Sequence, residues 1–387
     1  MLPIALCAIF AFASAQKWIN FNTLNANSDM NTIVDNENVS IYLTASSDAS
    51  TFLDLILFST GGLNRTASEV MKSARHFMNS DLLQPWIVQG PVNVSTSLST
   101  EQVNALTGSI YITTSNQAYD KNFMVYDLTM EQLISTIEPQ STIVILNSQY
   151  GVKPYISSYF SFWQQRITEE VNLYRGPPSD DVVIRSSAIF RNPFQTINSV
   201  AHVTSVENFN LNLPIFYFEV LNGVSFDISP KFVNINGTKM SNAFTTGFFM
   251  KSEKTTEADV ELHPVTSLSS NYLGVNYIGE DIPVNGYVNV AVNTSSGSTI
   301  QNQFSGSTVS YWQTNLGDPL TIKSYATNAG QFYIQYYVIP GRALETTMAP
   351  NGASTTTSRP MSTTTQSSGR IHIVITILWS FFGLQFS

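Results

Sequence analysis

Between Gln16 and Gly341 the chain alternates apolar and polar residues with period two, in short runs bounded by Gly, Asn, Ser and Pro. Successive strand side chains point to opposite faces, so such runs predict half-buried β-strands. Val39-Ser40-Ile41-Tyr42-Leu43, Ile110-Tyr111-Ile112 and Phe123-Met124-Val125-Tyr126 are early examples. Ile215 to Leu221, Tyr287 to Val292 and Phe332 to Ile339 follow. A few stretches carry helical spacing instead. Thr66-Ala67-Ser68-Glu69 is a capping box, after which Val70, Met71, Ala74, Phe77 and Met78 share one helical face. Ser99-Thr100-Glu101-Gln102 and Thr129-Met130-Glu131-Gln132 have the same form. Phe160, Trp163, Ile167, Val171 and Tyr174 predict a further helix closed by Gly176 and Pro177, although Tyr155 to Tyr159 reads equally as strand. The fold class is therefore mainly β, with antiparallel β-sandwich modules, expected to number two, and a few short helices.

Two parallels within the chain support a repeated plan. Val39 to Ser47 resembles Val288 to Ser296, and Ser109 to Leu128 resembles Leu320 to Ile339. Two β-rich domains, 16–180 and 181–341, would produce this, as would composition alone.

The ends read differently. Residues 1–15 form a signal-peptide pattern, an apolar run followed by Ala13-Ser14-Ala15 before Gln16. The single Cys, Cys7, falls inside it, so the remainder has neither disulfides nor thiolate chemistry. Sequons at Asn38, Asn64, Asn93, Asn236 and Asn293 fit N-glycosylation on an exported chain. From Glu345 to Ser368, thirteen of twenty-four residues are Ser or Thr, which makes 342–369 a stalk unable to bury a core. Residues 370–387 end in an apolar tail with no acid, Lys or Arg after Arg370. Its seventeen residues reach about 25 Å as a helix, short of the ~30 Å hydrocarbon core. The pattern favours a GPI-attachment signal over a single-pass helix, with Ser367, Ser368, Asn351 and Ser362 as candidate attachment residues. The expected location is the extracellular face of the plasma membrane, held by a lipid anchor; secretion and a single-pass anchor are the alternatives.

Composition narrows the function. A net charge of −9 with only 12% charged residues argues against nucleic acid, which needs clustered Lys and Arg. No nucleophile elbow, P-loop, dinucleotide fingerprint or zinc-protease helix is present, so an enzyme is not expected. Glu257, Asp259 and Glu261 alternate with Ala258, Val260 and Leu262, placing three carboxylates on one strand face. That face is either a weak Ca²⁺ site or a charged, solvated one. Adjacent Tyr311 and Trp312 must face opposite sides of a strand, so one of them could stack on a sugar or anchor a protein partner.

Asp281-Ile282-Pro283-Val284-Asn285-Gly286-Tyr287-Val288-Asn289-Val290, then Leu320-Thr321-Ile322-Lys323 and Gly330 to Tyr337, resemble a CUB-like module. With the signal, stalk and tail, the whole chain is similar to nematode CUB-like surface and secreted proteins. That resemblance implies a β-sandwich and a part in innate immune or stress responses. Together these features predict a non-catalytic surface glycoprotein acting in recognition or adhesion, with a carbohydrate or protein partner. A structural surface coat is the alternative, and an unrecognised hydrolase a more distant one.

Overall fold

The computed structural model describes residues 16–35, 37–46, 51–74, 82–150, 156–166, 169–179, 188–196, 199–201, 205–232, 234, 236–252, 257–265, 271–280, 286–294, 296–305, 309–312, 317–324 and 330–340. All of them belong to one compact unit, Met1–Ala343. It is mainly β, with several antiparallel sheets and few short helices.

Two four-stranded sheets form the N-terminal sandwich. The inner one runs Lys17–Asn20, Ser109–Thr114, Asn38–Thr44, Trp86–Gln89; the outer one runs Ser28–Val34, Val92–Thr96, Ile56–Thr60, Leu63–Thr66. Alternation sends Val39, Ile41 and Leu43 inward to meet Phe58, Val92 and Val94. The opposite face of the inner sheet is also apolar. There Tyr42 and Tyr111, paired in register, stack at 5.9 Å and pack on Val144, Leu146, Tyr174 and Tyr217 of a third sheet.

That third, middle sheet consists of Phe190–Asn192, Val171–Arg175, Ile215–Val220, Ser141–Leu146 and Phe123–Asp127. Both of its faces are covered, which explains unbroken apolar runs such as Ile215-Phe216-Tyr217-Phe218. Its second face packs through Phe216 and Phe218 on Phe160, Phe209 and Phe226. Those three belong to a fourth sheet of Gln132–Thr136, Val224–Phe232, Ile156–Gln164 and Phe209–Leu211. A ten-stranded C-terminal sheet curls over its own core, setting Phe249, Phe332 and Ile334 against Val260, Val290 and Ile322. Phe248 and Tyr333 reach from its other face into the phenylalanine core. Val171–Arg175 pairs with both Phe190–Asn192 and Ile215–Val220, so residues on either side of 180/181 share one sheet.

Every strand predicted above from alternation is present. The capping boxes at Thr66 and Ser99 start Ala67–Ala74 and Thr100–Ala105; Glu69 N–H donates to Thr66 Oγ1 at 3.2 Å, and Gln102 N–H to Ser99 Oγ at 3.3 Å. Phe77 and Met78 lie outside the described residues.

Two helix expectations are corrected. Thr129 to Gln132 forms no helix, because Gln132–Thr136 is a strand whose Ile134 and Thr136 alternate into the core. The stripe from Phe160 to Tyr174 is two strands, Ile156–Gln164 and Val171–Arg175. Between Ser161 and Gln164 two residues oppose one on the partner strand, a β-bulge. The extra residue lets both Phe160 and Trp163 contact the core, and this spacing of three imitates a helix. Phe162 takes the strain, with φ +53° and a 73% exposed side chain.

The internal parallel holds for one strand pair. Asn38–Thr44 pairs antiparallel with Ser109–Thr114 as Val288–Thr294 does with Gly317–Ser324. In each case a glycine presses on the end of the first strand. A Cβ on Gly108 would stand 2.0 Å from the Thr44 carbonyl oxygen, and one on Gly317 1.9 Å from that of Asn293. The continuation differs: Phe123–Asp127 pairs in parallel with Ser141–Leu146, whereas Gln331–Pro340 lies between two antiparallel neighbours.

Candidate functional site

The sequon asparagines are turned away from the cores. Asn38, Asn64, Asn236 and Asn293 are exposed, and Asn93 is half-buried. Asn64 and Asn93 both lie opposite Ser59, on strands flanking Ile56–Thr60, so these two sequons share the outer face of the outer sheet. Thr32 Oγ1 donates to Asn93 Oδ1 at 2.7 Å, Asp259 N–H to Asn236 Oδ1 at 3.1 Å, and Thr299 Oγ1 to Asn293 Oδ1 at 2.7 Å. Each of these bonds uses the oxygen end of the amide, and a glycan would take the nitrogen.

The acidic strand Ala258–Pro264 has the expected alternation, with Ala258, Val260 and Leu262 buried. Glu257, Asp259 and Glu261, read above as a weak Ca²⁺ site or a charged, solvated face, lie at and along this strand. Among the described residues no three His, Cys, Asp or Glu come together to hold a metal. Asp259 instead meets Lys323 at 3.2 Å, and Glu261 meets His263 Nε2 at 3.1 Å. His263 Nδ1 is in turn 2.8 Å from Asp318, which makes this a laced polar surface. Tyr311 and Trp312 stand in Val309–Trp312, opposite Tyr277 and Asn276. Their side chains, like Ser367, Ser368, Asn351 and Ser362, lie outside the described residues.

Two polar groupings were not anticipated. Glu207 accepts from Ser241 Oγ at 3.0 Å, Thr245 Oγ1 at 3.2 Å and Tyr336 OH at 2.5 Å. Burial, then the Glu207 charge, raises Tyr336 well above an ordinary phenol, while burial lowers Lys239 against the pull of the same carboxylate. Ser241 and Tyr336 are buried, so this network ties the end of the edge strand Ser205–Val206 to the sheet.

The second grouping is open. A cleft of about 470 Å³ lies at one end of the middle sheet, lined by Gln140, Thr142, Glu170, Asn172, Glu219 and Leu221, with Ser141 and Val220 beneath. Thr142, Glu219 and Asn172 form one cross-strand row. The next row on the same face, Val144, Tyr217 and Tyr174, is already inside the tyrosine core. Leu221 N–H donates to the Glu170 carbonyl and the Leu221 carbonyl accepts from Gln140 N–H, both at 2.8 Å, so the three lining segments are locked together. Asn172 Nδ2 donates to Glu170 Oε1 at 2.9 Å, and Asn172 Oδ1 is buried with no hydrogen-bond partner among the described residues. The legible trace was Glu219, the only charge in an otherwise apolar run.

Stacked sheets with polar outer faces and outward sequons define a β-rich protein of glycoprotein type. The chain belongs to the transmembrane glycoprotein family, whose family model matches residues 36–382. No curated protein matches it. Among solved structures it is similar to the PBSX exported protein XepA at 9% identity over 55% of this chain and 83% of that one, with a TM-score of 0.15. A likeness that low carries no argument about fold or role. The family's name points to a membrane or surface location. Among the described residues no helix is long and apolar enough to cross a membrane, and 371–387 lies outside them.

Proposed function

We propose that the chain is a non-catalytic surface glycoprotein, GPI-anchored through 370–387, whose ectodomain acts in recognition or adhesion. The observation that carries this is the outward placement of the sequon asparagines, four of them exposed. Family membership supports attachment at a membrane, and the match runs into the apolar tail. The Ser/Thr-rich stalk would lift the stacked sheets off the lipid. The finer assignment, a CUB-like module near 281–340 with a part in host defence, rests on the sequence resemblance.

Phosphatidylinositol-specific phospholipase C on cells displaying the full chain tests the anchor. Release into the medium is the expected result. Retention, with a lipase-resistant anchor excluded by nitrous acid cleavage, would mean a single-pass helix. Binding of displaying cells to glycan arrays and other cells tests recognition; no saturable binding would leave the surface-coat alternative.

A further inference from the structure

The bulge in Ile156–Gln164 needs a residue in the left-handed region, but it does not need a phenylalanine. Gly, Asn or Asp fills such a position at less cost than a bulky side chain. Phe162 stands there at φ +53° with 73% of its side chain exposed, so the backbone is strained and the ring buries little to offset it. Strain of this kind is kept where a side chain has to be aimed, and bulges are a common means of aiming one. Phe160 and Trp163 turn into the core, which leaves Phe162 on the outer side of the fourth sheet.

The face around that ring is polar and open. Cross-strand register sets Leu133, Asp227 and Ser161 in one row, and Ser135, Ser225 and Gln164 in the next. Leu133 is 65% exposed, and Ser135 and Gln164 are exposed as well. Among the described residues, none of the five polar side chains in these rows has a hydrogen-bond or ion-pair partner. The neighbouring Tyr159 ring is already capped by Lys231 Nζ, 4.7 Å from its centroid. Each row crosses three strands, about 10 Å, so the polar groups form a shallow strip beside one uncapped ring.

Glycan coverage leaves this face accessible. No N-x-[ST] triplet occurs between Asn93 and Asn236, and all four strands of the fourth sheet lie within that interval.

We infer that the outer face of the fourth sheet is a binding site for a neutral oligosaccharide. A sugar ring lays its C–H face on Phe162, whose electron-rich π face attracts it. Its hydroxyls donate to the Asp227 carboxylate and exchange hydrogen bonds with Ser225, Ser161 and Gln164, which both donate and accept. Ser and Asp are depleted at protein–protein interfaces, so the same strip favours a glycan over a protein partner. Asp227 and the net charge of −9 disfavour acidic sugars. This inference rests on the recognition role proposed above and gives it a ligand class and a place.

The test applies cells displaying the full chain to an array of manno-, galacto-, chito- and cello-oligosaccharides beside sialylated glycans. Saturable binding to neutral members alone is expected. Phe162→Ala, displayed at equal level and with an unchanged melting temperature, should weaken it at least tenfold, and Phe162→Trp should restore it. Asp227→Asn leaves the ring and the bulge in place and should also weaken it at least tenfold. Equal binding by wild type, Phe162→Ala and Asp227→Asn overturns the site and leaves recognition standing. Preference for the sialylated glycans overturns the ligand class. Adhesion to other cells that is lost in Phe162→Ala, with no oligosaccharide bound, makes the face a protein contact and overturns the glycan assignment. Absence of binding to every oligosaccharide overturns the inference, and if the cells also adhere to no other cell, the recognition role falls with it.

Discussion

At the residue scale the buried tyrosines connect packing to pH. Burial pushes Tyr337 up to about 12 and raises Tyr42, Tyr111 and Tyr126 as well. In the unfolded chain a phenol titrates near 10. Above that pH the unfolded state has lost the proton and the folded state keeps it, so stability is intact below pH ~10 and falls as pH rises through the folded value. For Tyr337 alone the loss across this window is about 2–3 kcal/mol. Urea midpoints at pH 8, 10 and 11 should fall steeply over the last step, and Tyr337→Phe should flatten the fall; equal midpoints would refute the account. The identity of the core residues was legible in the sequence, because apolar residues at period two have one inward face. The partners of Glu207 were not. Tyr336 and Ser241 lie far from it in the chain, and only sheet register brings them together.

At the element scale, alternation was read correctly except where backbone geometry shifts its phase. The bulge at Phe162 is such a place, and Phe160 with Trp163 passed for a helix face because of it. The bulge makes a sharp prediction. Glycine in a strand ordinarily costs stability, but Phe162 is exposed and left-handed, where a β-carbon costs about 1–2 kcal/mol. Phe162→Gly should therefore hold or raise the thermal midpoint, and a fall of several degrees would show that the phenyl ring contributes packing. The helix Ser115–Tyr119 was missed although Thr114-Ser115-Asn116-Gln117 carries a capping pattern, with Thr114 N–H donating to Gln117 Oε1 at 3.2 Å. At five residues it leaves almost no periodicity to read. Gly317→Ala drives a methyl into the Asn293 carbonyl and should cost about 1–3 kcal/mol or more, measured by urea unfolding. An unchanged midpoint would mean that the strand end yields freely.

At the scale of the whole molecule, length, alternation and the missing cysteines indicated a β-rich fold held by its cores. The layer order was not legible. Nothing in a single strand says that the middle sheet is covered on both faces, beyond the density of its apolar runs. Outward sequons give a graded expectation. Glycopeptide mass spectrometry should find Asn93 the least occupied of the five, since it is half-buried, bonded to Thr32 and shares its sheet face with Asn64. Higher occupancy at Asn93 than at Asn64 would contradict this.

The layer where Tyr42 and Tyr111 meet Tyr174 and Tyr217 is the smallest of the four cores among the described residues. It joins the N-terminal sandwich to the rest, together with hydrogen bonds from Leu83 N–H to the Val125 carbonyl at 2.8 Å and from Thr44 Oγ1 to Asp127 Oδ1. A chain held by its C-terminal end and pulled through the N-terminal sandwich would feel the load across this seam. Side-chain packing and these few hydrogen bonds would bear that load, and the sandwich would peel away as an intact piece before either of its own sheets unravelled.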